Sequence, residues 1–256
     1  MNKPNVYNFF KFIKTKTGQD LEKVEDKLRL KLLFSPNELD EQDKETLANT
    51  YLRFHTNLPK GFPNGNKVGE VSLVGTEITE VPEGLEGVRN LTLNGTFAVK
   101  NLPPLHLNEL SLHNTNVKEI PEGTKVSVLF LHKSPIESLP YIEDEIRLLV
   151  LSGLPIDSLE CVKALSIYLQ GNLPNLKHLP ENLRCDLSLH ITDDTDLVEL
   201  PKGLDVHWNL SLLCEPQFDT LPEDLQVGYT IEVYEMPTHY PEHLKDKIKV
   251  IEKKQN

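Results

Sequence analysis

The sequence predicts a solenoid of stacked parallel β-strand coils with a small α-helical cap at its N-terminus. Three observations carry this prediction. An apolar–proline dipeptide returns about every 20 residues. Between successive dipeptides lies a short stretch of apolar/polar alternation, the period of a strand with one buried face. The first 57 residues share neither feature and read as amphipathic helices.

The dipeptide marks are Leu58-Pro59, Val81-Pro82, Leu102-Pro103, Ile120-Pro121, Leu139-Pro140, Leu179-Pro180, Leu200-Pro201, Leu221-Pro222 and Tyr240-Pro241, with Leu159-Glu160 in the one gap. The alternating apolar pairs are Val71/Leu73, Leu91/Leu93, Leu110/Leu112, Leu129/Leu131, Leu149/Leu151, Ile167/Leu169, Leu187/Leu189, Leu210/Leu212 and Ile231/Val233. Ile248/Val250 is a candidate final, capping pair. Ile78, Val117, Ile136 and Ile156 follow their strands by five residues. The return to the next strand contributes one inward residue, such as Leu85, Leu105, Leu183, Leu204, Leu225 or Leu244. It is too short for a full helix and its turns, so it reads as extended or 3-10. Proline suits it, because no sheet hydrogen bond is lost there.

One such coil cannot bury its own leucines. Coils stacked at about 4.8 Å make one continuous core, and ten of them make a curved rod about 45 Å long. Strands line its concave side. The turn after the strand carries Thr76, Thr96, Thr115 or Ser134. A hydroxyl there can bond backbone groups of the turn and of the adjacent coil.

The domain reading is therefore a helical cap over 1–57, a solenoid of nine to ten repeats over 58–250, and a tail over 251–256. Asp20 to Phe34 and Leu39 to Phe54 read as helices, and Val6 to Ile13 as a shorter one rich in aromatics. Ser35-Pro36 separates the two longer helices. A cap would shield the first coil's leucines and strand edge. The other reading is a second binding module or delivery segment, since Lys11, Lys14, Lys16, Lys23, Lys27, Arg29 and Lys31 make residues 1–32 about +4. Gly61 to Lys67 lacks the P-loop spacing and reads as a junction.

Charge and cysteine usage narrow the function classes. The net charge is −12, and residues 58–256 hold 17 Lys and Arg against 30 Asp and Glu. Such a surface repels a phosphate backbone, so nucleic acid is not expected as the main ligand. It either serves solubility or suits a protein partner with a basic surface. Cys161, Cys185 and Cys214 form no CxxC pair, which fits reduced thiols in a cytosol. The N-terminus lacks the apolar core of a signal peptide, and no run has the length of a membrane span. These features point to the cytoplasm of the producing cell or of an infected host cell.

The unit LxLxxTxIxxLPxxL resembles the short bacterial class of leucine-rich repeat, over about residues 58–250. That class is known from secreted effectors of the YopM and IpaH type, and similar repeats occur in uncharacterised bacterial and phage proteins. The resemblance implies a leucine-rich-repeat solenoid with parallel β-strands on the concave face and extended or 3-10 convex returns. Two departures stand out. Thr replaces the usual Asn, and the doubled LPxLP motif is largely missing. The ubiquitin-ligase domain of the IpaH type is not expected to be part of this protein.

Three side-chain columns should line the concave face. Most members are small or polar, but Val128, Phe130, Leu148, Val150 and Tyr168 would form an apolar patch on three consecutive coils. Such a patch either marks a binding site or signals a register error or cover by another part of the chain. The outer column places His113 and His132 on adjacent rungs, with Gln170 and His190 further along. The two histidines lack an obvious third metal ligand, so hydrogen bonding to a partner is the expected role. Asp193, Asp194 and Asp196 fall in a lengthened coil. The neighbouring coils are lengthened at Gly171 to Asn175 and at Leu213 to Gln217, and the three together suggest a ridge of recognition loops. No catalytic triad, zinc motif, nucleotide fingerprint or paired-carboxylate cleft stands out. The expectation is a non-enzymatic protein–protein interaction protein needing no cofactor, an effector that binds and inhibits or redirects a host protein. A structural or virion-assembly component is the alternative, and an enzyme with an unfamiliar site is the third reading.

Overall fold

In the computed structural model the describable part of the chain is residues 70–253, apart from 74–77, 82–84, 86–87, 143, 161, 195 and 216. The helical cap expected over 1–57, the junction at Gly61 to Lys67, Thr76 and Cys161 lie outside the described residues.

The described chain is a parallel β-solenoid. Its long sheet has ten strands: β1 (Glu70–Ser72), β2 (Asn90–Thr92), β3 (His106–His113), β4 (Lys125–His132), β5 (Ile146–Ser152), β6 (Ala164–Gln170), β8 (Ser188–Asp194), β10 (Asn209–Glu215), β12 (Thr230–Val233) and β13 (Ile248–Val250). Three two-residue strands form a second sheet: β7 (Arg184–Cys185), β9 (Asp205–Val206) and β11 (Gln226–Val227). All neighbours pair in parallel, as they must when each coil repeats the path of the last.

Register follows the leucines. Leu110 pairs with Leu129, Leu129 with Leu149, Leu149 with Ile167, Ile167 with Leu189, Leu189 with Leu210, and Leu210 with Ile231. These residues, with Ile78, Val117, Ile136 and Ile156, are buried and form one continuous core. The inward residues of the returns, Leu85, Leu105, Leu183, Leu204, Leu225 and Leu244, are buried with them.

The returns are mostly turns and extended chain. The N–H groups of Thr124, Leu183, Leu225 and Leu244 each donate to the carbonyl of the proline three residues earlier, at 3.0–3.3 Å. Proline needs no donor there, because its carbonyl alone closes the turn. Gly123 (φ 79°) and Asn182 (φ 56°) supply the left-handed third position of this turn. A single 3-10 helix among the described residues, Glu242–Lys247, carries Leu244 into the core ahead of β13. The expected final pair does form a strand, but Ile248 is only half-buried and Val250 is exposed.

The hydroxyl register behaves as its chemistry requires. Thr96, Thr115 and Ser134 are all buried. Thr96 Oγ1 donates to the Leu93 carbonyl at 2.5 Å. Thr115 and Ser134 hydroxyls meet at 2.9 Å on adjacent coils, and Ser134 Oγ donates to the carbonyls of Leu112 (3.5 Å) and His132 (3.3 Å). The polar atoms inside the turn are thereby satisfied, which removes the cost of burying them.

One strand assignment is corrected. The inward pair of β8 is Leu189/Ile191, and Leu187 points outward. Two of the three lengthened coils also differ from the expected ridge. Leu213 pairs with Thr192, Cys214 with Asp193 and Glu215 with Asp194, so the extra residues extend β8 and β10 by further rungs. Cys214 turns inward there and is buried.

Candidate functional site

The outward face of the long sheet presents the columns that the strand alternation predicts. Val128 pairs with Leu148, Phe130 with Val150, and Val150 with Tyr168, so these side chains lie on successive rungs. Phe130, Leu148, Val150 and Tyr168 are half-buried by one another and by their neighbours. Val128 departs from the expectation of exposure. It is 7% exposed yet lies outside the main core, covered on the outward face. A flat array of bulky groups 4.8 Å apart shields its smaller members, which the alternation pattern alone does not reveal.

His190 is also relocated. It pairs with Tyr168, not with Gln170, and therefore belongs to the middle column. Its ring stacks on Tyr168 at 4.1 Å with an interplanar angle of 16°. The column then reads Phe130, Val150, Tyr168, His190, Ser211 and Glu232. Ser211 Oγ donates to Glu232 Oε2 at 2.6 Å. Burial lowers the pKa of His190, with Glu232 opposing the shift. Burial beside Tyr168 thus disfavours the charged imidazole.

The outer column keeps His113, His132, Ser152 and Gln170 on successive rungs, with Thr192 where His190 was expected. His113 and His132 meet edge to face, with centroids 4.3 Å apart. Burial lowers the pKa of His132, and electrostatic repulsion from His113 and Lys133 lowers it further. Among the described residues no three His, Cys, Asp or Glu side chains converge to hold a metal ion. Asp193 Oδ2 instead accepts the Gly171 N–H at 3.2 Å, and Asp196 pairs with Lys177 at 3.4 Å. Both aspartates tie neighbouring coils together.

The cysteines offer no reactive thiol among those described. Cys185 and Cys214 are buried. Desolvation pushes both thiols up to about 12, which keeps them protonated and inert as nucleophiles.

A second outward feature escapes the sequence reading. Leu187, Trp208 and Tyr229 occupy equivalent corners of three successive coils, with Trp208 N–H donating to the Leu187 carbonyl and Tyr229 N–H to the Trp208 carbonyl, both at 2.9 Å. They are 40, 51 and 63% exposed, respectively. The available signal was spacing. Three residues, not two, separate Cys185 from Leu189, Val206 from Leu210 and Val227 from Ile231.

The described residues thus form a parallel β-solenoid whose long sheet carries an apolar–aromatic middle column. No helix among the described residues is long and apolar enough to cross a membrane. Comparison with known protein families finds no matching family model, and comparison with curated proteins finds none similar in sequence.

Proposed function

We propose that this chain is a leucine-rich-repeat protein of the short bacterial class, and that it works by binding another protein. The proposed protein is a non-enzymatic effector of bacterial or phage origin, acting in the cytoplasm on a host protein that it inhibits or redirects. The observation that carries the binding role is the middle column. Phe130, Val150 and Tyr168 stand on consecutive rungs of the outward face, where Thr92, Ser111 and Ser211 suffice elsewhere. Stability does not call for large apolar groups there, because the leucines beneath already complete the core. The hydroxyl-bearing turns and proline-closed returns support the repeat class. Helical segments in residues 1–57 would cap the first coil in this reading.

The test is affinity capture from host lysate with the full chain and its Phe130→Ala and Tyr168→Ala variants. A stoichiometric host protein, lost at least about tenfold with either variant, is the expected result. Recovery of the chain only in assembled particles would favour a structural role instead. Undiminished capture by both variants would remove the middle column from the interface.

A further inference from the structure

We infer that the corner ladder of Leu187, Trp208 and Tyr229 is a second docking surface, whose occupant is a protein segment with an aliphatic anchor flanked by arginine or lysine. The inference rests on the protein-binding reading only in taking the ligand to be a protein.

The ladder is made by one extra residue per coil. In the coils of β3 to β6, two residues separate the last inward residue of the return from the first of the long sheet, as between Val126 and Leu129. In the next three coils the number is three, and the chain bends at Asp186–Leu187, His207–Trp208 and Gly228–Tyr229. The bend turns Leu187, Trp208 and Tyr229 out of the core. Packing keeps this geometry fixed. A Cβ at Gly228 would lie 1.8 Å from the His207 carbonyl oxygen, so only glycine lets the third coil close on the second. The Trp208 and Tyr229 rings sit 5.0 Å apart at 37°, which pre-orders the two largest groups. Exposed, pre-ordered aromatics are what binding hot spots are made of.

Charge selects the partner. Asp186 and Asp205 flank His207, with carboxylate oxygens 3.3 Å from its two ring nitrogens, and Arg184 Nε donates to Asp186 at 2.8 Å. With His207 neutral, one guanidinium among two carboxylates leaves a net negative charge at this corner. The setting amplifies it. Residues 181–253 hold 16 Asp and Glu against 6 Lys and Arg, whereas residues 70–180 hold 14 against 8. An aliphatic side chain laid on the ladder brings flanking cations over the acidic coils, where complementary charge also speeds encounter.

The chain has a single tryptophan, Trp208, so its fluorescence reports this surface alone. The probe is a short synthetic peptide alternating leucine and arginine, titrated into the full chain. Controls replace arginine by glutamate or leucine by serine. The expected result is a saturable blue shift with the leucine–arginine peptide only, weakened by added salt. Tyr229→Ala, and separately the paired Asp186→Asn and Asp205→Asn changes, should each weaken it about tenfold, while Phe130→Ala leaves it unchanged. No saturable shift, or an equal shift with the glutamate peptide, would overturn the inference. So would a shift caused by concentrating the chain alone, which marks self-association, or by a soluble oligosaccharide in place of peptide. A shift lost with Phe130→Ala but kept with Tyr229→Ala also overturns it, and leaves the middle-column reading standing.

Discussion

The coils of β3 to β6 and those of β8, β10 and β12 are built from the same alternating leucines, yet they show different surfaces. In the first group the chain enters the long sheet through two residues and the strands run unbroken. Their outward apolar groups lie on the sheet itself and shelter one another. In the second group a third residue breaks each strand, giving the short β7, β9 and β11, and an apolar side chain is pushed into water at every corner. A leucine's position in an alternating run therefore does not decide whether it is core. The number of residues since the previous inward side chain decides it.

Substitutions at the two kinds of position should separate the regions, and the largest effect belongs to the shared core. Leu131 is almost fully buried, so Leu131→Ala should lower stability by about 2–5 kcal/mol in chemical denaturation. Gly228→Ala comes next, because its methyl group meets backbone that cannot swing aside. We expect a loss of about 1–3 kcal/mol. Gly123→Ala, in the first region, would place its Cβ in ordinary contact, 3.9 Å from Pro104 Cβ, and bears only the strain of φ 79°. It should cost about 1 kcal/mol, and a larger loss there than at Gly228 would reverse the assignment of close packing.

The hydroxyl pair is found in the first region. Thr115→Val keeps the shape but removes the 2.9 Å contact with Ser134, whose hydroxyl retains backbone acceptors. Melting should report a loss of about 1 kcal/mol, and a neutral outcome would mean that the contact contributes no stability.

The smallest effect is a pH dependence common to both regions. His132 and His190 have folded pKa values below the ordinary 6.5. As pH falls through 6.5 the unfolded chain takes up protons that the folded chain refuses, so stability falls with pH in this window. The melting temperature should drop modestly between about pH 7.5 and about pH 5.5, and His190→Gln should reduce the drop. A melting temperature that rises over that interval would contradict the burial assigned to both rings.

Much of the fold is legible in the sequence because the core pattern and the marks agree. Leu110/Leu112 admits one placement, since Glu109, Ser111 and His113 around it are polar, whereas Val128/Phe130 and Leu148/Val150 rival Leu129/Leu131 and Leu149/Leu151 and only the repeat period decides between them. Leu187, Leu189 and Ile191 admit two, because three apolar residues alternate and only two can face inward before the turn. The pattern favours Leu187/Leu189, whereas the three-residue corner selects Leu189/Ile191 and moves His190 beside Tyr168. Cys214 departs from that limit of two, as the third inward residue of a lengthened strand. The shielding of Val128 is not legible at all, since it depends on how far neighbouring large side chains lean across the sheet.

The corner rule is tested most directly by comparing Leu187→Ala with Ile191→Ala in equilibrium unfolding. Ile191 is fully buried and Leu187 is 40% exposed. Ile191→Ala should lower stability by about 2–5 kcal/mol, and Leu187→Ala by about 0.5 kcal/mol or less. Equal losses, or a larger loss at Leu187, would mean that the strand keeps its simple alternation, and the corner ladder would then not exist.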